Sequence, residues 1–290
     1  MTFIYHLING LHVGSIYALV ALGYSMVYGI VKLINFAHGD IIMVGAYVSW
    51  LVMVSLDMPV WVAILAAVVV CMLLGITIEK VAYKPLRGSA RISLLITAIG
   101  VSLLLENLAQ LIFTSTPKTY RNFLEGGVAF GDRTISNTTI VTVAVSAVLM
   151  IALTLFVNRT KMGKAMRAVS EDTNASRLMG INVDTTISIT FAIGSALAAV
   201  AAVLYCCSYT KVSPTMGSAL GLKAFVAAVL GGIGSIPGAV VGGLVIGIAE
   251  SLTKGYISSS FADAIVFGIL IITLLIKPAG IFGRAEHEKV

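Results

Sequence analysis

Charged side chains are scarce in this chain of 290 residues, where 19 Lys and Arg and 13 Asp and Glu make up only 11% of the sequence. Soluble domains carry about 25% charged residues, whereas hydrophobic residues reach 58% here. So few charges cannot cover a water-soluble fold of this length. The composition therefore excludes an ordinary cytosolic enzyme and a disordered chain, and it predicts a polytopic α-helical membrane protein.

Motifs for metal binding and catalysis are missing as well. The three cysteines, Cys71, Cys206 and Cys207, lie in or at the end of apolar runs without metal-ligand spacing, and we interpret them as packed thiols. There is no P-loop, because Gly163-Lys164 is not followed by Ser or Thr, and neither H-E-x-x-H nor G-x-S-x-G occurs. We therefore expect no cofactor, no metal and no enzymatic activity in this chain.

Apolar runs fill most of the sequence. A transmembrane helix needs about 20 mostly apolar residues. Runs that carry little or no charge fall at 4–30, 41–56, 60–78, 92–114, 137–158, 187–208, 224–249 and 261–276. We predict an all-α bundle of about eight full spans plus a half-helix.

Basic residues gather in three segments, 80–91, 159–184 and the tail from 277. The first two are separated by two predicted crossings and so share a side, which the positive-inside rule makes the cytoplasm. The connection at 115–136 and the N-terminus are then external. The same rule explains the net charge of +6, so we predict no nucleic-acid partner.

Two glycine-rich breaks interrupt the apolar pattern, one in each half of the chain. The first runs from Lys32 to Asp40. In the second, glycine and proline, which cost about 1 and 3 kcal/mol in a helix interior, divide the last third into half-helices at 222–232 and 238–254. The breaking residues there are Gly231, Gly232, Gly234, Pro237 and Gly238. Paired broken helices are typical of transporters built from internal repeats; ordinary polar turns between full helices are the alternative.

Polar residues inside the apolar runs are candidates for a translocation path. Ser102, Glu106 and Gln110 form one stripe along the predicted helix at 92–114, and a carboxylate at this depth needs a reason. The stripe either lines an aqueous path or forms a hydrogen-bond network between helices. Asn35 and His38, in the first break, are further candidates, although a lone histidine is also compatible with a structural role.

A short capped helix is predicted in the second basic segment, at residues 159–186. Ser170 is the expected N-cap, and Glu171 and Asp172 complement the positive end of the helix dipole. Arg177 complements the negative end, and Gly180 supplies a left-handed residue after the helix.

One face of that helix is apolar, with Ala175, Leu178 and Met179 at i, i+3 and i+4. The face is small, and the neighbouring acidic residues would oppose anionic lipid headgroups. We therefore favour docking into a groove of a soluble protein partner over binding to lipid.

Three blocks of sequence resemble the branched-chain amino acid permease family of ATP-binding-cassette importers. The first is Ala21-Leu-Gly-Tyr-Ser-Met-Val-Tyr-Gly29 followed by Asn35-Phe-Ala-His-Gly-Asp40. The other two are Gly163-Lys-Ala-Met-Arg-Ala168 through Arg177-Leu-Met-Gly-Ile-Asn182, and Gly221-Leu-Lys-Ala-Phe225 through Pro237-Gly-Ala239. They appear in the family's order.

The resemblance implies one permease domain over residues 1–290 in the bacterial inner membrane. Its partners would be a second permease subunit, expected to be a related sister chain, two cytoplasmic ATP-binding subunits, an external substrate-binding protein and membrane lipid. The substrates would be branched-chain or other small aliphatic amino acids, with urea or short amides as the alternative. Contacts to the ATPase would involve Arg167, Glu171, Ala175, Leu178, Met179 and Gly180.

Two other functions fit the residues without the resemblance. An ion- or proton-coupled secondary transporter would explain the broken helices and Glu106, but not the capped helix at 170–180. A receptor-like or scaffold membrane protein would need no transport activity.

Overall fold

The computed structural model describes residues 2–32, 34–130 and 133–283, and most of this part of the chain is helical. Its helices are α1 (Thr2–Val31), α2 (His38–Trp50), α3 (Val60–Ile78), α4 (Arg91–Phe113), α5 (Asn137–Arg159), α6 (Lys161–Glu171), α7 (Thr173–Leu178), α8 (Val183–Tyr209), α9 (Met216–Gly231), α10 (Ile236–Tyr256) and α11 (Ala262–Ile276). The short strands are β1 (Lys118–Thr119), β2 (Gly127–Phe130), β3 (Arg133–Ser136) and β4 (Lys211–Val212).

Single helical turns extend some of these elements. Two π-helical turns, Leu51–Ser55 and Glu79–Tyr83, continue α2 and α3, and 3₁₀ turns cover Lys84–Leu86 and Ser259–Phe261. With these extensions, 8 helices of the described chain are long and apolar enough to cross a membrane, and α9 is a shorter apolar helix. This confirms the prediction of an all-α bundle of about eight full spans plus a half-helix.

Helix α1 forms the centre of the bundle and packs along α10 through glycines. A Cβ on Gly14 would lie 2.9 Å from the carbonyl oxygen of Gly243, and one on Gly10 would lie 2.7 Å from the Cα of Ile248. Such small-residue contacts let helix backbones approach closely where lipid removes the hydrophobic driving force between helices. The two helices are antiparallel, because Gly10 lies beside Ile248 and Gly29 beside Gly234.

Helices α3, α4, α5 and α11 surround this centre and direct apolar side chains outward. On α4, Leu111 is 81% exposed, and on α11, Leu275 is 79% exposed. An apolar surface of this extent is typical of a face that lipid or another subunit covers.

The two ends of the bundle differ in their connections. The basic end carries residues 79–91 and the segment 159–182, which includes α6 and α7. The hairpin end carries the antiparallel pair β2–β3 and a second pair in which Lys118 of β1 faces Val212 of β4. The β1–β4 pair places the connections after α4 and after α8 at the same end, as the predicted crossings require. Arg284 and Lys289 of the predicted basic tail lie outside the described residues.

Candidate functional site

The first break brings the start of α2 deep into the bundle. His38, the first residue of α2, lies against Gly23, where a Cβ would overlap the imidazole ring. Gly23 precedes the last residue of α1, Val31, by eight positions, which corresponds to about 12 Å at 1.5 Å per residue. The connection between α1 and α2 therefore folds back into the bundle, although both helices are long and apolar enough to cross a membrane.

The half-helix α9 begins at the same place. A Cβ on Gly221 would lie 2.8 Å from the Cα of Gly39, and one on Gly217 would overlap the Gly39 carbonyl. Helix α9 starts at Met216 rather than at the predicted residue 222. The first turns of α2 and α9 therefore meet inside the bundle, at a backbone distance that only glycine permits.

Asn35 and His38 are both buried in this region. Tyr83 donates a hydrogen bond of 2.7 Å to Oδ1 of Asn35, and the ring of Tyr24 lies 4.8 Å from that of His38 between centroids. Nδ2 of Asn35 and Nε2 of His38 have no hydrogen-bond partner within the described chain. The two residues thus have hydrogen-bonding capacity that their protein neighbours do not use.

The polar stripe of α4 faces the bundle. Ser102, Glu106 and Gln110 are half-buried, whereas Leu103 and Leu104 on the opposite side of the helix are exposed. Ser218, in the first turn of α9, donates a hydrogen bond to Oε1 of Glu106. Glu106 therefore takes part in a hydrogen bond between two helices, which is one of the two interpretations of the stripe given above.

Asp40, in the first turn of α2, faces the same stripe. Its side chain is directed at Ser102 and Glu106, and the residue is 1% exposed. A polar group was expected at this break from Asn35 and His38, but nothing in the sequence distinguished Asp40 from an ordinary acidic residue at a helix end.

The second break lies at the basic end, between α9 and α10. Gly232 and Gly234 adopt φ angles of 102° and 92°, which disfavour other residues. Gly231 ends α9, but Pro237 and Gly238 lie in the first turn of α10 rather than in the break. Proline is common in a first turn because its missing N–H would be unpaired there anyway.

The segment at 159–182 forms two helices where one was predicted. Thr160 caps α6 by accepting a hydrogen bond of 3.0 Å from the N–H of Gly163. The predicted N-cap, Ser170, is wrong: it lies within α6 and donates to the carbonyl of Arg167. Asp172 is the N-cap of α7 instead, and its carboxylate accepts from the N–H groups of residues 174 and 175.

Gly180 follows the end of helix α7 in the left-handed conformation, as predicted. This glycine has a φ of 80°, its N–H donates to the carbonyl of Arg177, and the N–H of Ile181 donates to that of Ser176. These two bonds are those of a Schellman motif, which satisfies the last carbonyls of a helix. The chain therefore turns sharply after α7 and enters α8.

The predicted apolar face of α7 has no cover in the described chain. Leu178 and Met179 are 89% and 83% exposed, and Ala175 and Glu171 are exposed beside them. Arg167, on α6, donates a hydrogen bond of 3.3 Å to the carbonyl of Asn158, which anchors the segment to α5. We call residues 161–180 the coupling segment.

Ion pairs connect the start of α8, which follows the coupling segment, to the end of α3. Arg87 donates hydrogen bonds to Glu79, which is fully buried, and to Asp184 at 2.5 Å. Lys84 adds a bond of 2.8 Å to Asp184, and Ser188 donates to Glu79 at 2.6 Å. Because Asp184 lies in the first turn of α8, these pairs join the start of α8 to the end of α3.

A second buried carboxylate, Glu250, is paired near the hairpin end. Tyr17 donates to it at 2.6 Å, Lys223 at 2.9 Å and Lys254 at 2.6 Å. Lys223 also pairs with Asp263 at 2.7 Å. This network was not predicted from the sequence. Lys223 lies next to Glu250 because α9 and α10 form a hairpin. The predicted second break, which separates these two helices, was the feature from which the pair could have been inferred.

Comparison with known proteins gives one consistent result. Residues 6–275 match the family model described as branched-chain amino acid transport system / permease component. The chain is 46% identical to the high-affinity branched-chain amino acid transport system permease protein BraD of Pseudomonas aeruginosa, over 99% of both chains. It is 44% identical to LivH of Escherichia coli K12, the permease protein of the corresponding system, over 99% of this chain and 98% of LivH.

Among solved structures, the chain is similar to PsaBC from Streptococcus pneumoniae in complex with Fab. The TM-score is 0.51 at 16% sequence identity, over 93% of this chain and 91% of that one. At this identity the similarity concerns the fold alone.

Proposed function

Since this chain belongs to the branched-chain amino acid transport system permease family, we propose that it is the membrane subunit of an ATP-binding-cassette importer for branched-chain or other small aliphatic amino acids. It forms half of the translocation path as one permease domain and performs no catalysis itself. The cytoplasmic partners hydrolyse ATP. The near-complete coverage of two permease proteins supports this assignment.

The coupling segment is the observation that carries the proposal. Leu178 and Met179 form an exposed apolar pair on a capped helix, at the end of the bundle where basic residues gather. An amphipathic helix of this kind docks into a groove on a soluble protein. A secondary transporter has no use for such a helix, whereas an importer powered by separate ATPases requires one on each membrane subunit.

Transport in this proposal is alternating access. Nucleotide-driven closure of the ATPase pair moves the coupling segment, and the Arg87 pairs with Glu79 and Asp184 carry that movement to α3 and α8. The path lies beside the meeting point of α2, α4 and α9, where Asn35, His38, Ser102, Glu106 and Gln110 provide polar groups. The ATPases need only bias two existing arrangements of the bundle by differential binding.

The complete importer contains four further chains: a sister permease subunit, two ATPases and an external binding protein. It resides in the bacterial inner membrane, with the basic end in the cytoplasm and the hairpin end outside. Charge supports this orientation, because residues 79–91 and the coupling segment together hold 8 of the 19 Lys and Arg, whereas the connection at 115–136 at the hairpin end holds 3.

Reconstituted vesicles provide the test of function. We expect the complex, with leucine-loaded binding protein outside and ATP inside, to accumulate leucine against its gradient. A proton uncoupler should leave the rate of leucine uptake unchanged. Omission of the ATPases should abolish uptake. Accumulation by this chain without ATPases, or its collapse on uncoupling, would instead assign the protein to the secondary transporters.

Cysteine labelling in intact cells tests the orientation. The native cysteines are buried, so Gly88→Cys and Asn174→Cys at the basic end and Glu125→Cys at the hairpin end can be compared with little background. All three positions are exposed. We expect a membrane-impermeant maleimide to label only Glu125→Cys from outside, and all three after permeabilisation. Labelling of Gly88→Cys in intact cells would reverse the orientation.

A further inference from the structure

Asp40 differs from the other carboxylates buried in the bundle. Glu79 accepts hydrogen bonds from Arg87 and Ser188, and Glu250 accepts from two lysines and a tyrosine. Both carboxylate oxygens of Asp40 lack a hydrogen-bond partner within the described chain. A carboxylate inside a membrane bundle is costly and marks a functional site by default, so Asp40, the one without a basic partner among the described residues, is the candidate for contact with a positive group of the substrate.

The side chains around Asp40 present oxygen atoms from three helices. Ser102 and Glu106 of α4 lie next to it, and Ser218 of α9 donates to Glu106. Two carboxylates at close range repel each other, and either a proton on one of them or a positive group between them relieves the repulsion. An ammonium group, with one charge and three N–H donors, fits these four oxygen-bearing side chains.

The first turns of α2 and α9 lie directly beside this cluster. They meet at Gly39 and Gly217, and neither helix has a side-chain cap at its N-terminus. The N–H groups of His38, Asp40 and Ile41 donate to the carbonyls of Asn35 and Ala37, and the positive ends of the two helix dipoles point to one place. In transporters with broken helices, such N-termini receive anionic groups of the substrate.

We propose that this cluster is an amino acid site within the membrane path: Asp40 and Glu106, with Ser102 and Ser218, bind the ammonium group, and the N-termini of α2 and α9 bind the carboxylate. The inference rests on the proposed function. It adds that the permease itself recognises the α-amino acid group, separately from the binding protein.

The site is tested by measuring leucine binding to the purified complex without binding protein. Leucine uptake into vesicles supplied with leucine-loaded binding protein is the second measurement. We expect Asp40→Asn and Glu106→Gln each to weaken leucine binding and slow uptake by about tenfold or more, because each removes a charge-assisted contact. In the wild type, 4-methylpentanoate, which lacks the amine, should compete at least about tenfold more weakly than leucine. Asp57→Asn, at an exposed loop position, is the matched control and should change neither measurement.

The outcomes separate the inference from the proposed function. Wild-type uptake without detectable leucine binding, unchanged binding in Glu106→Gln, or equal competition by 4-methylpentanoate would overturn the site and leave the importer assignment intact. A correctly assembled complex that takes up no aliphatic amino acid would overturn both. If Asp40→Asn does not assemble, Glu106→Gln at its half-buried position and the analogue comparison decide the question.

Discussion

Replacing both Leu178 and Met179 with aspartate is expected to abolish substrate-stimulated ATP hydrolysis by the assembled importer while the permease remains inserted in the membrane. The two side chains are almost fully exposed, so the substitution removes no contact within the described chain. It places two charges where an apolar face would be desolvated in the partner's groove, which costs several kcal/mol per unpaired ion. The measurement is ATPase activity in vesicles, with and without loaded binding protein.

Two controls make this result specific to docking. Arg177→Gln changes the charge on the opposite side of the same helix, about 150° from the centre of the apolar face at 100° per residue, and should keep most of the stimulation. Gly180→Asn should be tolerated, whereas Gly180→Val should reduce stimulation, because φ is 80° there and a β-branched residue is strained in the left-handed region. Full stimulation in the double aspartate variant would remove the coupling segment from the interface.

The number of spans was predictable from the sequence because it depends on local composition. Runs of about 20 apolar residues between clusters of charge predicted all eight spanning helices, with modest errors at their ends. The left-handed conformation of Gly180 was predictable for the same reason, since a glycine directly after a short helical pattern commonly ends the helix in this way. The parity argument, which required a half-helix near residue 222, also led to the α9–α10 hairpin.

The start of α9 was predicted too late, at residue 222 rather than at Met216, because the parity of the crossings requires a half-helix there but does not set where it begins. Gly217 and Gly221 each disfavour a helix by about 1 kcal/mol. In the fold both contact Gly39 of α2, and that close packing offsets the cost. Local patterns in a single sequence do not predict contacts between distant segments. The Lys223–Glu250 pair was not predicted for the same reason.

The coupling segment shows a different limit. Ser170 and Asp172 are both good N-caps, and both precede the same short helical pattern. The structure uses Asp172, whose φ of −153° separates α6 from α7. Helix α6 buries Met166 and Val169 against the bundle, and this tertiary packing extends it through Ser170. The choice between the two caps therefore depended on contacts that local capping preferences do not include.

Gly247→Val should prevent the permease from folding. Gly247 lies at the crossing of α10 and α1, where a Cβ would overlap the backbone of Gly14 and lie 2.6 Å from the carbonyl oxygen of Gly10. Backbone atoms cannot rotate away as a side-chain end can, so α1 and α10 must separate. Overpacking costs about 1–3 kcal/mol in tolerant cores and more where nothing yields, which is a large part of a total stability of about 5–15 kcal/mol.

Gly268→Val, in α11, is the matched control for this change. It introduces the same β-branched side chain into a transmembrane helix, but a Cβ at Gly268 meets no atom within 4 Å. Fluorescence-detected gel filtration of tagged protein in mild detergent should show a single symmetric peak for Gly268→Val and aggregated or absent protein for Gly247→Val. Equal peaks would mean that the α1–α10 contact yields without loss. The glycines of α1 and α10 would then serve movement between the helices rather than their assembly.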